Sequence, residues 1–531
     1  MGIRTLQVSI LLSAFLLAGA GYAAGNPWTP ILGIPEPEFG IRERSPSPPS
    51  PWTVEKTGYF YICPSCDGAS DIENMFGYPG RPRMTIPNEI PAGSVVEIHG
   101  EYDSPHTSLV VNGTSKAPVF IRSRRYDTRA KVTGPMVLKS SRYVVIENLW
   151  FGPRDARANL FGLAVREGSS HIAIRNCEFS GNLSRAGGLG IGSWQYAGSE
   201  AVSHVVVDHC FIHDNGNLKD TGDQDRHGVT LNGRVQYFWL VNSELARNSG
   251  DGIQITANAG ANEDIRFVYI GRNAAHHNKQ TGIWVKNAMD VIISQNASYG
   301  HRVSSSGLGD GMGLQYGPEY VWFLFNDIYD NEFGIRLASD GRTGNGTEHF
   351  LIGNSISSIR AFSGNYRDGN PWERCAIAVW GGTNTYIIGN TIWDIDGGIN
   401  SSRGQGKLEI VDNIIDQPAR QAGRHVHMAR TSLSAGCIAD HNYFRKGSFF
   451  GKDIPLFRNP ATRDFSLLGG NPVIDAGTGH TAYDVFRKRY GMEISRDFLG
   501  TVRPQGAGWD IGAYEYRVEK GKSSRRQSNG S

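Results

Sequence analysis

His227-Gly-Val-Thr-Leu231, Asp251-Gly-Ile-Gln-Ile255, Thr281-Gly-Ile-Trp-Val285, Asp310-Gly-Met-Gly-Leu314 and Phe333-Gly-Ile-Arg-Leu337 are five renderings of one short strand. Each carries a glycine at its second position and then alternates, the period-two pattern of a strand with one buried face. A second run recurs between them and ends near an asparagine: Tyr143-Val-Val-Ile-Glu-Asn148, His171-Ile-Ala-Ile-Arg-Asn176, His204-Val-Val-Val-Asp-His209 and Tyr237-Phe-Trp-Leu-Val-Asn242. The series continues through Asn273, Asn296, Asn326, Asn354, Asn390 and Asn413, with spacings from 23 residues (Asn273 to Asn296) to 36 (Asn354 to Asn390). Each period therefore holds at least two strands and no stretch of helical patterning. Strands that repeat once per coil without hairpins must stack in parallel on their counterparts, about 4.8 Å apart. Asparagines at one turn position can then hydrogen-bond along the stack and satisfy backbone groups that the turn leaves open.

The rest of the 531-residue chain frames that solenoid. Residues 1–23 read as a secretory signal: Arg4, an apolar run from Val8 to Ala20, and small residues near Ala23. That places the protein outside the cytosol, secreted or periplasmic, with no membrane span after cleavage. Residues 24–55 are rich in Pro and Ser and read as a linker, 56–94 as an N-terminal cap, 95–455 as the solenoid, 456–517 as a closing segment, and 518–531 as a disordered basic tail. Lys plus Arg (53) nearly cancel Asp plus Glu (51), which argues against a nucleic-acid partner bound through bulk charge. Of six cysteines, Cys63 and Cys66 form a C-x-x-C read first as a local disulfide, with two free thiols the other reading. Cys177 and Cys210 each follow the asparagine position and are expected to stack as small core residues.

These repeats resemble the right-handed parallel β-helix proteins of the pectin-lyase-like superfamily over roughly Val95 to Ile415. The stretch from Gly80 to Pro87, followed by Pro91 to Gly100, looks like the start of such helices, and Asn471 to Gly477 with Trp509 to Glu515 resembles the closing segment of many secreted examples. The resemblance implies an all-β fold and a carbohydrate-active protein, a monomer whose partner is a polysaccharide. The motifs of the pectin-hydrolysing family (N-T-D, D-D, G-H-G, R-I-K) are absent. Asp223 to His227 is similar in composition to the D-P-H-D motif of mannuronan C5-epimerases but differs in order and spacing, so no role transfers.

Aligning the glycine-led strands predicts the outward face. One column reads Thr230, Gln254, Trp284, Gly313 and Arg336; a second reads Asn232, Thr256, Lys286 and Gln315, continued by Trp380. The mixture of amides, cations and tryptophans points to a glycan site in which Trp284, Trp380, Trp194 and Tyr316 stack on sugar rings and Gln254, Asn232 and Gln315 hydrogen-bond them. Lys286 and Arg336 lie roughly 12 Å apart between Cα atoms on standard strand spacings, close enough to converge on one sugar. β-Elimination from a uronate needs a base for the C5 proton and a cation for the carboxylate, so Lys286 is read as base and Arg336 as charge neutraliser, with bound calcium an alternative neutraliser. The same residues serve equally as solvated surface cations. His227, with Asp225 to orient it, is a second proton-transfer candidate, or a turn hydrogen-bonder. Asp251 and Asp310 share a turn position two coils apart, about 9.6 Å, which suits the acid and base of an inverting hydrolase; Asp-Gly is equally a common turn. A polysaccharide lyase is the first reading, with a hydrolase, a C5-epimerase and a glycan-binding adhesin as alternatives.

Overall fold

A computed structural model describes residues 28–124, 128–153, 160–184, 186–193, 200–222, 225–258, 260–338, 346–360, 362, 374–401, 406–417, 437–446 and 455–517. The proposed signal, the basic tail and Trp194 lie outside the described residues. Three all-parallel sheets of 14, 13 and 10 strands run the length of the molecule. The first extends from Tyr59–Ile62 to Cys437–Asp440, the second from Glu101–Tyr102 to Tyr443–Lys446, and the third from Val137–Leu138 to Ile399–Ser401. Every strand pairs with its counterpart one coil away, as Ile172↔Val205↔Phe238↔Val268↔Val291 in the first sheet illustrates. The chain is thus the right-handed parallel β-helix that the repeats predict.

Each coil carries three strands where the sequence revealed two. The missed strands are only about three residues long, such as Phe211–His213 and Ala274–His276, too short to show a period. They follow directly on the asparagine turn, and their inward residues join the continuous Ile/Val/Leu core.

The asparagine stack is present, with one correction to its register. Asn273, Asn296, Asn326, Asn354, Asn390, Asn413 and Asn442 form a single ladder, each side-chain amide donating to the next side-chain oxygen at 2.9–3.1 Å. Upstream the same position is taken by Ser243, Cys210 and Cys177: the Cys210 amide donates to Ser243 Oγ and the Ser243 amide to Asn273 Oδ1. Asn148, Asn176, His209 and Asn242 occupy the preceding position, where every coil turns through positive φ. Asparagine tolerates that conformation as well as it serves the ladder, which is why the two positions look alike in sequence. Cys177 and Cys210 are buried free thiols at the head of the ladder, and Cys63 and Cys66 are joined as a disulfide.

The stretch read as a linker is a strap over residues 28–43. Ile31, Ile34 and Ile41 pack against the outward residues Val206, Trp239, Tyr269 and Ile292 of the first sheet, and Phe39 against Val145 and Ala173. Backbone groups of the strap are met by side chains of the sheet: Trp239 Nε1 donates to Pro35 O at 2.9 Å, Ser294 Oγ to Leu32 O at 2.6 Å, and Arg175 Nη1 to Gly40 O at 3.1 Å. Beyond the strap the helix Ala482–Tyr490 covers the same sheet through Tyr483 and Phe486, meeting Trp322, Phe350 and Ile388. Among the described residues no helix is long and apolar enough to cross a membrane.

Candidate functional site

The outward face of the third sheet carries both columns as expected. The register pairs Thr230 with Gln254, Gln254 with Trp284, Trp284 with Gly313, and Gly313 with Arg336. It also pairs Asn232 with Thr256, Thr256 with Lys286, and Lys286 with Gln315. Trp380 follows the strand Ile377–Val379 and its amide donates to Leu337 O at 2.8 Å, which puts it at the end of the second column. The glycine near the start of each strand lets the backbone lie close to the next coil: a Cβ on Gly252 would stand 2.5 Å from Gly282 O and 3.0 Å from Asn278 Nδ2.

Where the strands begin, His227, Asp251, Thr281 and Asp310 follow one another in successive coils, all buried. Asp251 Oδ2 accepts from Gln254 Nε2 at 2.9 Å. Burial pushes the Asp251 carboxyl up to about 7, opposed by the positive charge of Lys286 and by hydrogen bonds from Gln254 and Thr281. His227 Nδ1 lies 2.9 Å from the Asp251 amide and 3.3 Å from its Oδ2, and Nε2 lies 3.8 Å from Asp225 Oδ1. Burial lowers His227 to about 4, against the pull of Asp225, so the ring is neutral at pH 7. Its Nδ1 lone pair accepts the Asp251 N–H, which assigns the ring proton to Nε2. That bond matches the turn hydrogen-bonder reading of His227 and occupies the one lone pair with which the neutral ring could accept a substrate proton. The ring holds the turn, and Asp251 is the group beside it poised to exchange a proton near neutrality.

Arg336 also departs from expectation. Its Nε and Nη2 each donate to Asp310 at 2.6 Å in a bidentate pair, with Asp310 fully buried. Its guanidinium stands 4.7 Å from the Trp284 ring centroid and 5.6 Å from that of Trp380. A cation neutralised in this way is not available to a substrate carboxylate, and a carboxylate held at both oxygens is not a free catalytic base. The expected roles of Arg336 as neutraliser and Asp310 as acid or base are therefore corrected together. Trp284 points outward as predicted yet is only 5 % exposed, because Gly313 on the next coil has no side chain and the indole lies over it, beneath Arg336. It is part of a stack, not an open sugar platform. Lys286 does not converge on the same point: it is half-buried, its Nζ 5.6 Å from the Tyr316 ring, and it makes no ion pair within 4 Å among the described residues. Asn232, Gln254, Gln315, Tyr316 and Trp380 all remain half-buried on the face.

Two inserts line the strand-start edge, and alternation could not have placed them. Lys279 Nζ donates to Asp220 O at 2.5 Å and Gly222 O at 2.9 Å, and Gln280 Nε2 to Asp225 Oδ1 at 3.2 Å, holding Asp220, Gly222 and Asp225 beside the carboxyl column. Ser304 Oγ donates to Lys279 O at 2.9 Å and so docks residues 301–309 next to them. His301 is buried against the carbonyls of Ala275 and Asn278, and burial lowers it to about 3, so it is a structural residue. A buried pair, Arg374 Nε to Glu332 Oε2 at 2.9 Å, extends the edge. The only sequence signal for these contacts is the extra length of the two inserts.

Among the described residues, the one group of three ligand-type side chains whose ligand atoms lie within 4.8 Å of each other is Glu38, His171 and His204, on the strap side. There the two imidazoles stack within 2° of parallel, 4.7 Å apart, so no single ion can lie in both ring planes.

No protein-family model matches this chain, and no curated protein matches it in sequence. Among solved structures, pectate lyase Pel9A is similar over 88% of this chain and 98% of its own, at 14% identity and a TM-score of 0.46. The GH136 lacto-N-biosidase from Eubacterium ramulus is similar over 72% and 67% respectively, at 12% identity and a TM-score of 0.41. The periplasmic alginate epimerase AlgG is similar over 68% and 81%, at 12% identity and a TM-score of 0.38.

Proposed function

We propose that this protein cleaves an acidic, uronate-containing polysaccharide by β-elimination on the outer face of its third sheet, outside the cytosol. The observation that carries the reading is the position of Lys286: a half-buried cation on that face with no ion-pair partner within 4 Å among the described residues, beside a carboxyl that titrates near neutrality. A uronate carboxylate supplies the missing partner. Lys286 then takes the neutralising role first assigned to Arg336, stabilising charge as it develops on the acid. Asp251 accepts the C5 proton, the C4–O bond breaks as the C4–C5 double bond forms, and the same carboxyl returns a proton to the departing oxygen. Gln254, which bonds Asp251 from above, is the group a bound sugar displaces.

The test is to incubate the full chain with alginate, pectate and glycosaminoglycans and follow the ultraviolet absorbance of unsaturated uronate. Lys286→Ala should lower that activity by about 100-fold or more, in line with loss of one preorganised stabilising group, while leaving the melting temperature in place. New reducing ends without the absorbance would replace this reading with hydrolysis, in which Asp251 is the acid and the exposed Asp225 its partner, since Asp310 is held by Arg336. Neither signal on any glycan would leave a binding solenoid.

A further inference from the structure

We infer that the polar stretch of the third sheet is a short closed subsite for a saccharide terminus, and that the Trp284–Arg336–Trp380 stack is the wall that ends it. The substrate class rests on the reading above; the wall rests on geometry.

The outward columns are not uniform along the solenoid. At one end the Phe161 ring covers Gly190, where a Cβ would meet the ring at 2.4 Å. At the other the Trp284 indole covers Gly313, where a Cβ would meet the ring at 2.2 Å. Glycine at both positions lets an aromatic ring of the preceding coil lie across the sheet. Between them the floor is Thr230, Asn232, Gln254, Thr256 and Lys286, which is polar throughout. From Gly190 to Trp284 is three coils, or about 14 Å at standard strand spacing. That accommodates a few sugar units and no long chain.

The stack closing the far end is a built structure. Arg336 lies between the two indoles and is fixed by both of its bonds to buried Asp310, while Trp380 meets Phe333 edge-on at 5.7 Å. Four successive coils therefore contribute to one rigid projection. A second observation marks the floor as a ligand site. The Thr230 hydroxyl points outward between the two ends, its residue is 6% exposed, and it has no hydrogen-bond partner among the described residues. An unpaired buried hydroxyl is unfavourable, and a sugar hydroxyl that displaces the atoms now covering it satisfies it.

The experiment is a length series. Oligogalacturonates and oligoalginates of two to eight units are titrated calorimetrically into the full chain, and product sizes are followed on the parent polymers. For the wild type the affinity should level off by about four units and agree within about twofold beyond, with small products released from the start. Trp380→Ala should let affinity keep rising, by about tenfold from four units to eight, and lengthen the early products. Trp380→Phe keeps an aromatic ring against Phe333 and should fall between the two, which separates loss of the wall from loss of the fold. Wild-type affinity that climbs steadily to eight units, or a folded Trp380→Ala protein indistinguishable from wild type, overturns the wall while leaving any lyase activity standing. A plateau without unsaturated product keeps the wall and removes β-elimination. No binding at any length removes both.

Discussion

The outer faces of the first and third sheets descend from the same alternation, yet only one of them is covered. The outward column of the first sheet reads Val206, Trp239, Tyr269, Ile292, Trp322, Phe350 and Tyr386, and the chain lays residues 28–43 and the helix Ala482–Tyr490 across it. The outward column of the third sheet is broken by glycine and polar residues, and the segments nearby stand along its edge instead of over it. An apolar sheet face left in water drives either coverage by the chain or association with another surface. A polar face carries no such drive. The contrast separates residues that hold the solenoid together from residues available to a ligand.

Deleting a large side chain on each face should break or confirm that division. Trp322 is fully buried, its ring stacked 3.7 Å from Phe350 and donating to the Tyr490 hydroxyl at 3.1 Å. Trp322→Ala should cost about 3–5 kcal/mol, read as a drop in the denaturation midpoint, whereas Gln315→Ala should stay within about 0.5 kcal/mol. Equal losses would erase the distinction between the faces.

The ladder offers a sharper comparison, between its asparagine half and its Ser/Cys half. Asn326 accepts from the Asn296 amide and donates to Ile293 O and Asn354 Oδ1, all in the interior. Asn326→Ala strands several of those groups and should cost about 3 kcal/mol by chemical denaturation. Asn326→Ser, which recreates the situation at Ser243, should cost less; if serine is as damaging as alanine, the two halves are not equivalent.

The carboxyl–imidazole contact on the third sheet makes stability depend on pH in two opposing ways. Asp251 is raised from its ordinary value to about 7, so the folded state holds the extra proton between about 4 and 7 and its contribution is lost as pH rises through that window. His227 is lowered to about 4, so the unfolded state holds the extra proton between about 4 and 6.5 and stability rises with pH there. In the wild type the two trends offset. Asp251→Asn should leave a rising profile over pH 4 to 6.5 and His227→Asn a falling one, each on the order of 1 kcal/mol per pH unit, measured as thermal midpoints across buffers. Single variants whose profiles match the wild type would show that neither group titrates as its burial demands.

The smallest effect belongs to the exposed side of the strap. Glu38 reaches His171 Nε2 at 3.1 Å and His204 Nε2 at 3.5 Å, but its carboxylate is largely in solvent. Glu38→Gln should change stability by no more than about 0.5 kcal/mol, because apolar contacts and backbone bonds, not that charge, hold the strap down. A larger loss in the same denaturation assay would move the weight from Ile31 and Ile34 to the ion pair.

Strand alternation was enough to read the register of Thr230, Gln254, Trp284, Gly313 and Arg336, because each residue's face follows from counting out of a glycine turn. It could not show that Arg336 reaches diagonally to Asp310 on the previous coil, since that choice depends on Gly313 leaving room and on Trp284 leaning over it. The ladder was misplaced by one residue in its first coils, where serine and cysteine do the work of asparagine and a neighbouring asparagine merely fits a left-handed turn. The strap was hidden because Pro and Ser dominate its composition, while a few apolar side chains, among them Ile31, Ile34, Phe39 and Ile41, decide where it lies.

The position of the strap also sets an order of assembly. A Cβ on Gly33 would stand 3.0 Å from Phe486 and 3.3 Å from Ile494, so the strap rests on residues of the closing segment. During synthesis the strap leaves the ribosome before the coils it packs on and finds its complete seat last, after Phe486, about 450 positions downstream of Gly33, has been made. Until then the aromatic stripe from Trp239 to Tyr386 stands uncovered, and nascent chains should be most prone to clumping in that interval.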